Sequence, residues 1–298
     1  MSSLADSLTP GAIEAPAKIN LTLEILERRD DGYHGLRSVM VPIGLYDRIT
    51  WKAADRFRLI TDDPRLTSDN LIERAFRAIG RGEIRLEITL RKAIPVGGGL
   101  GGGSSDAAAI LRAAMSGAFG ALAGRDWVAT ARALGSDVPF FLVEGPALVE
   151  GTGERVTALG APPPWWLCIV VPRASVDTGE AYRRLDASRG RLARTARSQS
   201  VSLRLGEALQ RADFAATQAL MQNDFEEIIV GAYPAIAQAL EALRAAGAER
   251  PMLSGSGACV FALCETEAAA REIERRLGGE WRAAVVPLAR TAVWAGGR

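Results

Sequence analysis

Apolar and polar residues alternate from Ile13 to Glu27, with Ile19, Leu21, Leu23 and Ile25 on one side of an extended segment. After the polar turn ERRDDGYHG come two more strand-like runs, Leu36 to Ile43 and Asp47 to Lys52. The strongest strand pattern is GEIRLEITLRKAIP, where Ile84, Leu86, Ile88 and Leu90 share a face and charges occupy the other. Helical spacing predicts three helices in this half. LIERAFRAI follows the cap candidates Ser68, Asp69 and Asn70 and ends at Gly80; AAAILRAAM opens with Ser104, Ser105 and Asp106 at its cap; Asp126 to Leu134 closes on Gly135. GPALVEGTGERVTAL reads as two strands about a Gly turn.

The APPP run at 161–164 divides the chain into an N-terminal unit, 1–161, and a C-terminal unit, 165–298. Beyond it the pattern predicts a buried strand in WWLCIVV and a helical region from Val201 to Gly247, broken near Gly231 to Pro234. A strand through MLSGSGACVFAL, a helix over Glu265 to Leu277 and a last strand from Ala283 to Trp294 follow. Strands and helices do not alternate strictly, so the expected class is α+β, with a mixed sheet in a two-domain layout. Residues 1–12 read as a polar tail without a secretory pattern, and the longest apolar run, Trp165 to Val171, is far short of the ~20 residues a membrane helix needs. A soluble cytoplasmic protein with no membrane role is expected.

The 298 residues carry 36 Lys+Arg against 35 Asp+Glu, a net charge of +1, which argues against a nucleic-acid binder held by a general basic field. A single histidine, His34, excludes His-rich metal sites, and the three cysteines, Cys168, Cys259 and Cys264, lack CxxC spacing and suit a reducing compartment. Cations are almost all Arg, so the three lysines, Lys18, Lys52 and Lys92, stand out.

Six of 31 glycines lie between Gly97 and Gly103, between the best strand and a helix. Such a loop is costly to order, and the compensation is a bound phosphate: without Cβ atoms, backbone N–H groups converge on an anion, and the helix terminus adds positive potential. Two other phosphate loops fail here. Gly97, Gly99 and Gly102 satisfy G-x-G-x-x-G, but no second parallel strand with an acidic end follows; a Walker A loop needs a Lys that this stretch lacks.

PVGGGLGGGSSDAAA resembles the P-x-x-x-G-L-x-S-S-x-A loop of the GHMP kinases. APAKINLTLEI resembles that family's first motif and MLSGSGACVFAL its third, in the right order over most of the chain. The DGYHGLRSVM, LGSDVPFFL and NDFE segments resemble those members that act on a cytidine-diphosphate-linked methylerythritol. The resemblance implies the two-domain GHMP fold, with an N-terminal ATP-binding domain like domain 2 of ribosomal protein S5 and a C-terminal α/β sandwich. It also implies an ATP-dependent alcohol kinase using Mg²⁺, partnered only by small molecules, as a monomer or weak homodimer. Another GHMP small-molecule kinase, or a nucleotide-binding sensor on the same fold, are the alternatives.

By the same resemblance Lys18 and Asp137 are catalytic. Lys18 lies in a strand-like apolar run where a lysine is costly to bury unless paired, and Asp137 follows a helix C-terminus, a poor place for an acid by the helix dipole. Pro95, Val96, Gly97, Gly98, Gly99, Leu100, Gly101, Gly102, Gly103, Ser104 and Ser105 would hold the nucleotide, with Asn70 and Leu71 at adenine, although Asn70 serves equally as a helix cap. Tyr33, His34 and Tyr182 are assigned to the cytidine end, and Asn20, two residues from Lys18 on the same strand face, to the same ligand. Ser254 to Gly257 are expected to approach the phosphates or the erythritol part. Lys52 and Lys92 fall in none of these motifs, Asp106 is only a cap, and Asp224, Glu226 and Glu227 read as a solvated helix face.

Overall fold

The computed structural model describes residues 10–30, 32–66, 70–79, 85–120, 124–189 and 200–290. The expectations at Ser68, Asp69, Gly80, Ile84 and residues 291–294 lie outside them, as does most of the N-terminal tail. In the first half the elements are β1 (Gly11–Arg28), β2 (His34–Ala53), β3 (Arg58–Thr61), α1 (Leu71–Ala78), β4 (Leu86–Arg91), α2 (Gly102–Met115), α3 (Trp127–Leu134), β5 (Ala147–Gly151) and β6 (Arg155–Ala158). The second half contributes β7 (Trp166–Val171), α4 (Thr178–Arg189), α5 (Val201–Gln210), α6 (Phe214–Leu220), β8 (Gln222–Asn223), α7 (Glu226–Ala232), α8 (Pro234–Ala245), β9 (Met252–Leu253), β10 (Val260–Cys264), α9 (Glu267–Leu277) and β11 (Arg282–Pro287).

These form two sheets. The first runs β3-β4-β2-β1-β8, with β5 paired to β2 and β6 to β5; the second runs β11-β7-β10-β9. Pairing is antiparallel except for β3 with β4 and β8 with β1, so the first sheet is mixed. The two runs expected at 36–43 and 47–52 are one strand, β2, carried across Gly44 to Tyr46 by its pairing with β1. The helical stretch from Val201 is four helices, interrupted at Met221 where the chain turns extended to place β8 beside β1.

One core lies between the first sheet and α1, α2 and α3, built from residues such as Ile49, Trp51, Phe76, Ile88 and Leu111. A second cluster joins Ile19, Leu21 and Val41 to Leu167, Phe261 and Leu205, from β7, β10 and α5. Because β1 is covered on both sides, its centre is buried at odd and even positions alike. Lys18 and Asn20, each 4% exposed, are therefore interior residues.

Candidate active site

A cavity of about 700 Å³ opens between the glycine loop, β1 and the turn that follows β9. It takes in Pro95 to Ser104 without a gap, together with Lys18, Asn20, Asn70, Leu71, Asp137 and Tyr182. Ser105 is not part of its lining: the hydroxyl is buried without a hydrogen-bond partner, one position further round α2. The helix begins earlier than its serines suggest. Its N-cap is Gly101, with no side-chain cap, so Ser104, Ser105 and Asp106 sit inside the first turns.

The loop is held by its carbonyls. Gly97 and Gly98 accept N–H bonds from Ala258 and Cys259, Gly99 accepts from Ser254 Oγ (3.1 Å) and Lys18 Nζ (3.0 Å), and Leu100 accepts from the Lys18 amide. In each peptide plane the next N–H points the opposite way, so the amides of Gly98, Gly99, Leu100 and Gly101 face away from those contacts. Together with the uncapped N-terminus of α2 they make a cradle suited to phosphate. Close approach demands glycine here: at Gly99 (φ +73°) a Cβ would lie 2.1 Å from the Ser254 carbonyl, and at Gly101 (φ +72°) it would lie 2.9 Å from Lys18 Cγ. The Ser254 turn is fastened in its turn by Asn223, whose amide donates to the carbonyls of Leu253 and Gly255.

Lys18 Nζ reaches three oxygens: Asn20 Oδ1 at 2.8 Å, Gly99 O at 3.0 Å and Asp137 Oδ2 at 3.5 Å. The Asp137 carboxylate remains 38% exposed, open to a ligand in the cavity. Asn20 is thus beside Lys18 as its strand spacing implied, but its amide oxygen is spent on the lysine.

Asn70 is both a helix cap and a cavity residue. Its side chain caps α1 through Ile72 N (2.8 Å), and it lines the cavity. At the far end Tyr182 lines the cavity and stacks on His34, which is not among the lining residues, with ring centroids 5.5 Å apart and planes 18° from parallel, and Phe225 meets Tyr182 edge-on. His34 Nδ1 lies 3.1 Å from Leu26 O and Nε2 2.9 Å from Asp186 Oδ1. Tyr33, 69% exposed, stands outside the cavity lining.

The sequence reading passed over Lys92 and Asp106, and the structure brings both to the cavity wall. Lys92 Nζ bridges Asp47 and Asp106, the latter at 3.0 Å, and Asp47 Oδ1 also accepts from Ala93 N and Ile94 N. Burial pushes the Asp106 carboxyl up to about 8, with Lys92 opposing and Asp47 adding to the rise. Burial pulls the other way on Lys92, but the two carboxylates outweigh it and raise its pKa. Lysine rarity was the only signal for this cluster, and no motif accompanied it. Of the acid cluster, Glu227 is exposed as expected, but Asp224 and Glu226 are not solvated: Asp224 accepts from Ile25 N, and Glu226 accepts from Leu253 N and is pushed up by burial.

Residues 70–145 match the GHMP kinases N terminal domain and residues 206–283 the GHMP kinases C terminal domain. The chain is 39% identical, over 88% of its length and 94% of the relative, to the 4-diphosphocytidyl-2-C-methyl-D-erythritol kinase of Symbiobacterium thermophilum. To the protein of that name from Geobacter sp. strain M21 it is 37% identical over 91% of its length and 96% of the relative. It belongs to the GHMP kinases. Among solved structures, that of a 4-(cytidine 5'-diphospho)-2C-methyl-D-erythritol kinase matches with TM-score 0.74 and 33% identity, covering 93% of this chain and 99% of the other. Homoserine kinase from Cytophaga hutchinsonii shares the fold, with TM-score 0.70, 22% identity and 98% of each chain covered. GHMP kinases use ATP as phosphoryl donor, and the glycine loop of this GHMP kinase is a cradle of the kind a triphosphate needs. Among its described residues no helix is long and apolar enough to cross a membrane.

Proposed function

We propose that this GHMP kinase transfers the γ-phosphoryl group of ATP to the 2-hydroxyl of 4-diphosphocytidyl-2-C-methyl-D-erythritol, in the non-mevalonate route to isoprenoid precursors. The observation that carries the reading is the Lys18–Asp137 pair, 3.5 Å apart in one cavity with the glycine loop and with Tyr182, whose ring is stacked on His34. An aromatic ring at the cavity wall, backed by a second ring, suits a nucleobase as well as a phosphate cradle suits ATP.

The acceptor hydroxyl oxygen attacks the γ-phosphorus, the bond to the β,γ-bridging oxygen breaks, and ADP leaves. Asp137 holds the hydroxyl and receives its proton, while Lys18 places a compact positive charge against the phosphoryl oxygens. Because the transition state is loose, positioning and charge stabilisation carry most of the rate. Mg²⁺ takes oxygen ligands and is bound largely through substrate phosphates. The Ser104 hydroxyl, in the first turn of α2 and part of the cavity lining, would be a protein oxygen available to it, and the ion would neutralise charge on the phosphates. The test is a coupled assay of ADP release from purified protein with ATP and Mg²⁺. The cytidyl substrate should support turnover, and homoserine and mevalonate should not. Turnover with either of those alone would defeat the reading.

A further inference from the structure

Ser38, on β2, is fully buried in the cavity wall, where its hydroxyl meets Asn20. Its hydroxyl has one proton. That proton goes to the Thr22 carbonyl at 2.5 Å, and a carbonyl can only accept. The Ser38 oxygen must therefore act as acceptor toward its other neighbour, Asn20, 2.8 Å away, which obliges the NH₂ of that amide to face it. The amide oxygen is then left facing Lys18 Nζ at 2.8 Å. The polarity is set at a bulge: between Asn20 and Thr22 the β1–β2 register shifts by a residue, and Val39 N donates to the Thr22 hydroxyl, not to a ladder carbonyl. That hydroxyl donates in turn to Ser202 Oγ, and Ser202 Oγ to Arg37 O, so the next hydroxyls in the chain point their protons away from Asn20 as well.

We infer that Ser38 is a positioning residue for phosphoryl transfer: by fixing which way round the Asn20 amide sits, it holds Lys18 on an acceptor and aimed at the transferring group. Without it the amide can turn over, setting an NH₂ donor against an ammonium that can only donate. The inference rests on Lys18 acting as proposed above.

The experiment is a double-mutant cycle on the purified kinase, with kcat, KM for ATP and thermal midpoint read for Ser38→Ala, Asn20→Ala and the pair. Ser38→Ala should lower kcat about tenfold, the scale of losing one hydrogen bond to a charged group, with KM for ATP nearly unchanged. Ser38→Thr, which keeps the hydroxyl, should restore the rate. The double variant should be no slower than Asn20→Ala, because the serine acts only through the asparagine. Wild-type kcat in folded Ser38→Ala, or losses that multiply in the double variant, would overturn the inference. If Ser38→Ala yields too little folded protein, Ser38→Cys, similar in size but a poor acceptor, gives the same comparison. Lys18→Ala separates the two readings. Normal turnover there removes the role of Lys18 itself, whereas a dead Lys18→Ala beside a normal Ser38→Ala removes only that of Ser38.

Discussion

Lys92 Nζ and Asp106 Oδ2 meet at 3.0 Å beneath the glycine loop, tying the end of β4 to the first turns of α2. With Asp47 the cluster holds two carboxylates on one ammonium, and burial keeps the Asp106 proton on until about pH 8 against an ordinary 3.8. Between those values the folded state carries a proton that the unfolded chain has lost, so stability falls as pH rises from about 4 to about 8 and then levels. Lys92, raised above 10.5, contributes below that pH and does not offset the trend. Asp106→Asn should flatten the dependence of thermal midpoint on pH between 6 and 8 and should melt a few degrees above the native protein at pH 8.5. An unchanged slope would mean that Asp106 is not the titrating group.

Lys18 and Asp137 come from distant parts of the chain and meet only in the cavity. Lys18→Ala and Asp137→Asn should each lower kcat by about 10² to 10⁴, with ATP affinity within a few-fold of native, since each acts where charge or a proton moves. Steady-state kinetics beside equilibrium nucleotide binding decide this. A parallel loss of ATP affinity in both variants would point to a role in binding the donor.

Gly99→Ala forces a Cβ onto the Ser254 carbonyl at a positive φ, and should abolish nucleotide binding and destabilise the protein. Gly117 is a matched control, since its φ is +84° but nothing lies within 4 Å of the added atom. Gly117→Ala should cost only about 1–2 kcal/mol of backbone strain and leave activity intact. Urea melts and ATP titrations of the two variants make the comparison. Equal effects would remove the case for a close-fitted loop.

His34→Ala should raise KM for the cytidyl substrate by about tenfold or more while leaving KM for ATP unchanged, because the ring that supports Tyr182 at the cavity wall is lost. Tyr182→Phe, which keeps the ring stacked on His34, should be nearly silent, and Tyr182→Ala should resemble His34→Ala. A rise in KM for ATP would place this end of the cavity at the wrong nucleotide.

Much of the fold was legible because local patterns carry it. Alternation marked β1 and β4, Asp126 and Gly135 marked the ends of α3, and the glycine run between a strand and a helix marked the phosphate cradle. Elements set by pairing were not legible. Gly44 to Tyr46 look like a break, yet they continue β2 because β1 lies alongside; Met221 interrupts a helical pattern because Gln222 and Asn223 find a vacant edge of β1.

The chain's own order of residues determined the loop, the lone lysine in an apolar strand and the lone histidine, and through their motifs the family. Tertiary structure alone decided which polar groups face one another. Lys92, Asp106 and Asp47 are ordinary surface candidates in a linear reading, and Ser38 is one hydroxyl among many. Each gains its meaning only when folding removes water and leaves protein groups as its partners. Side-chain pairing across 46 or 81 positions leaves no local periodicity to read, whereas burial of an apolar face repeats every second residue or every turn.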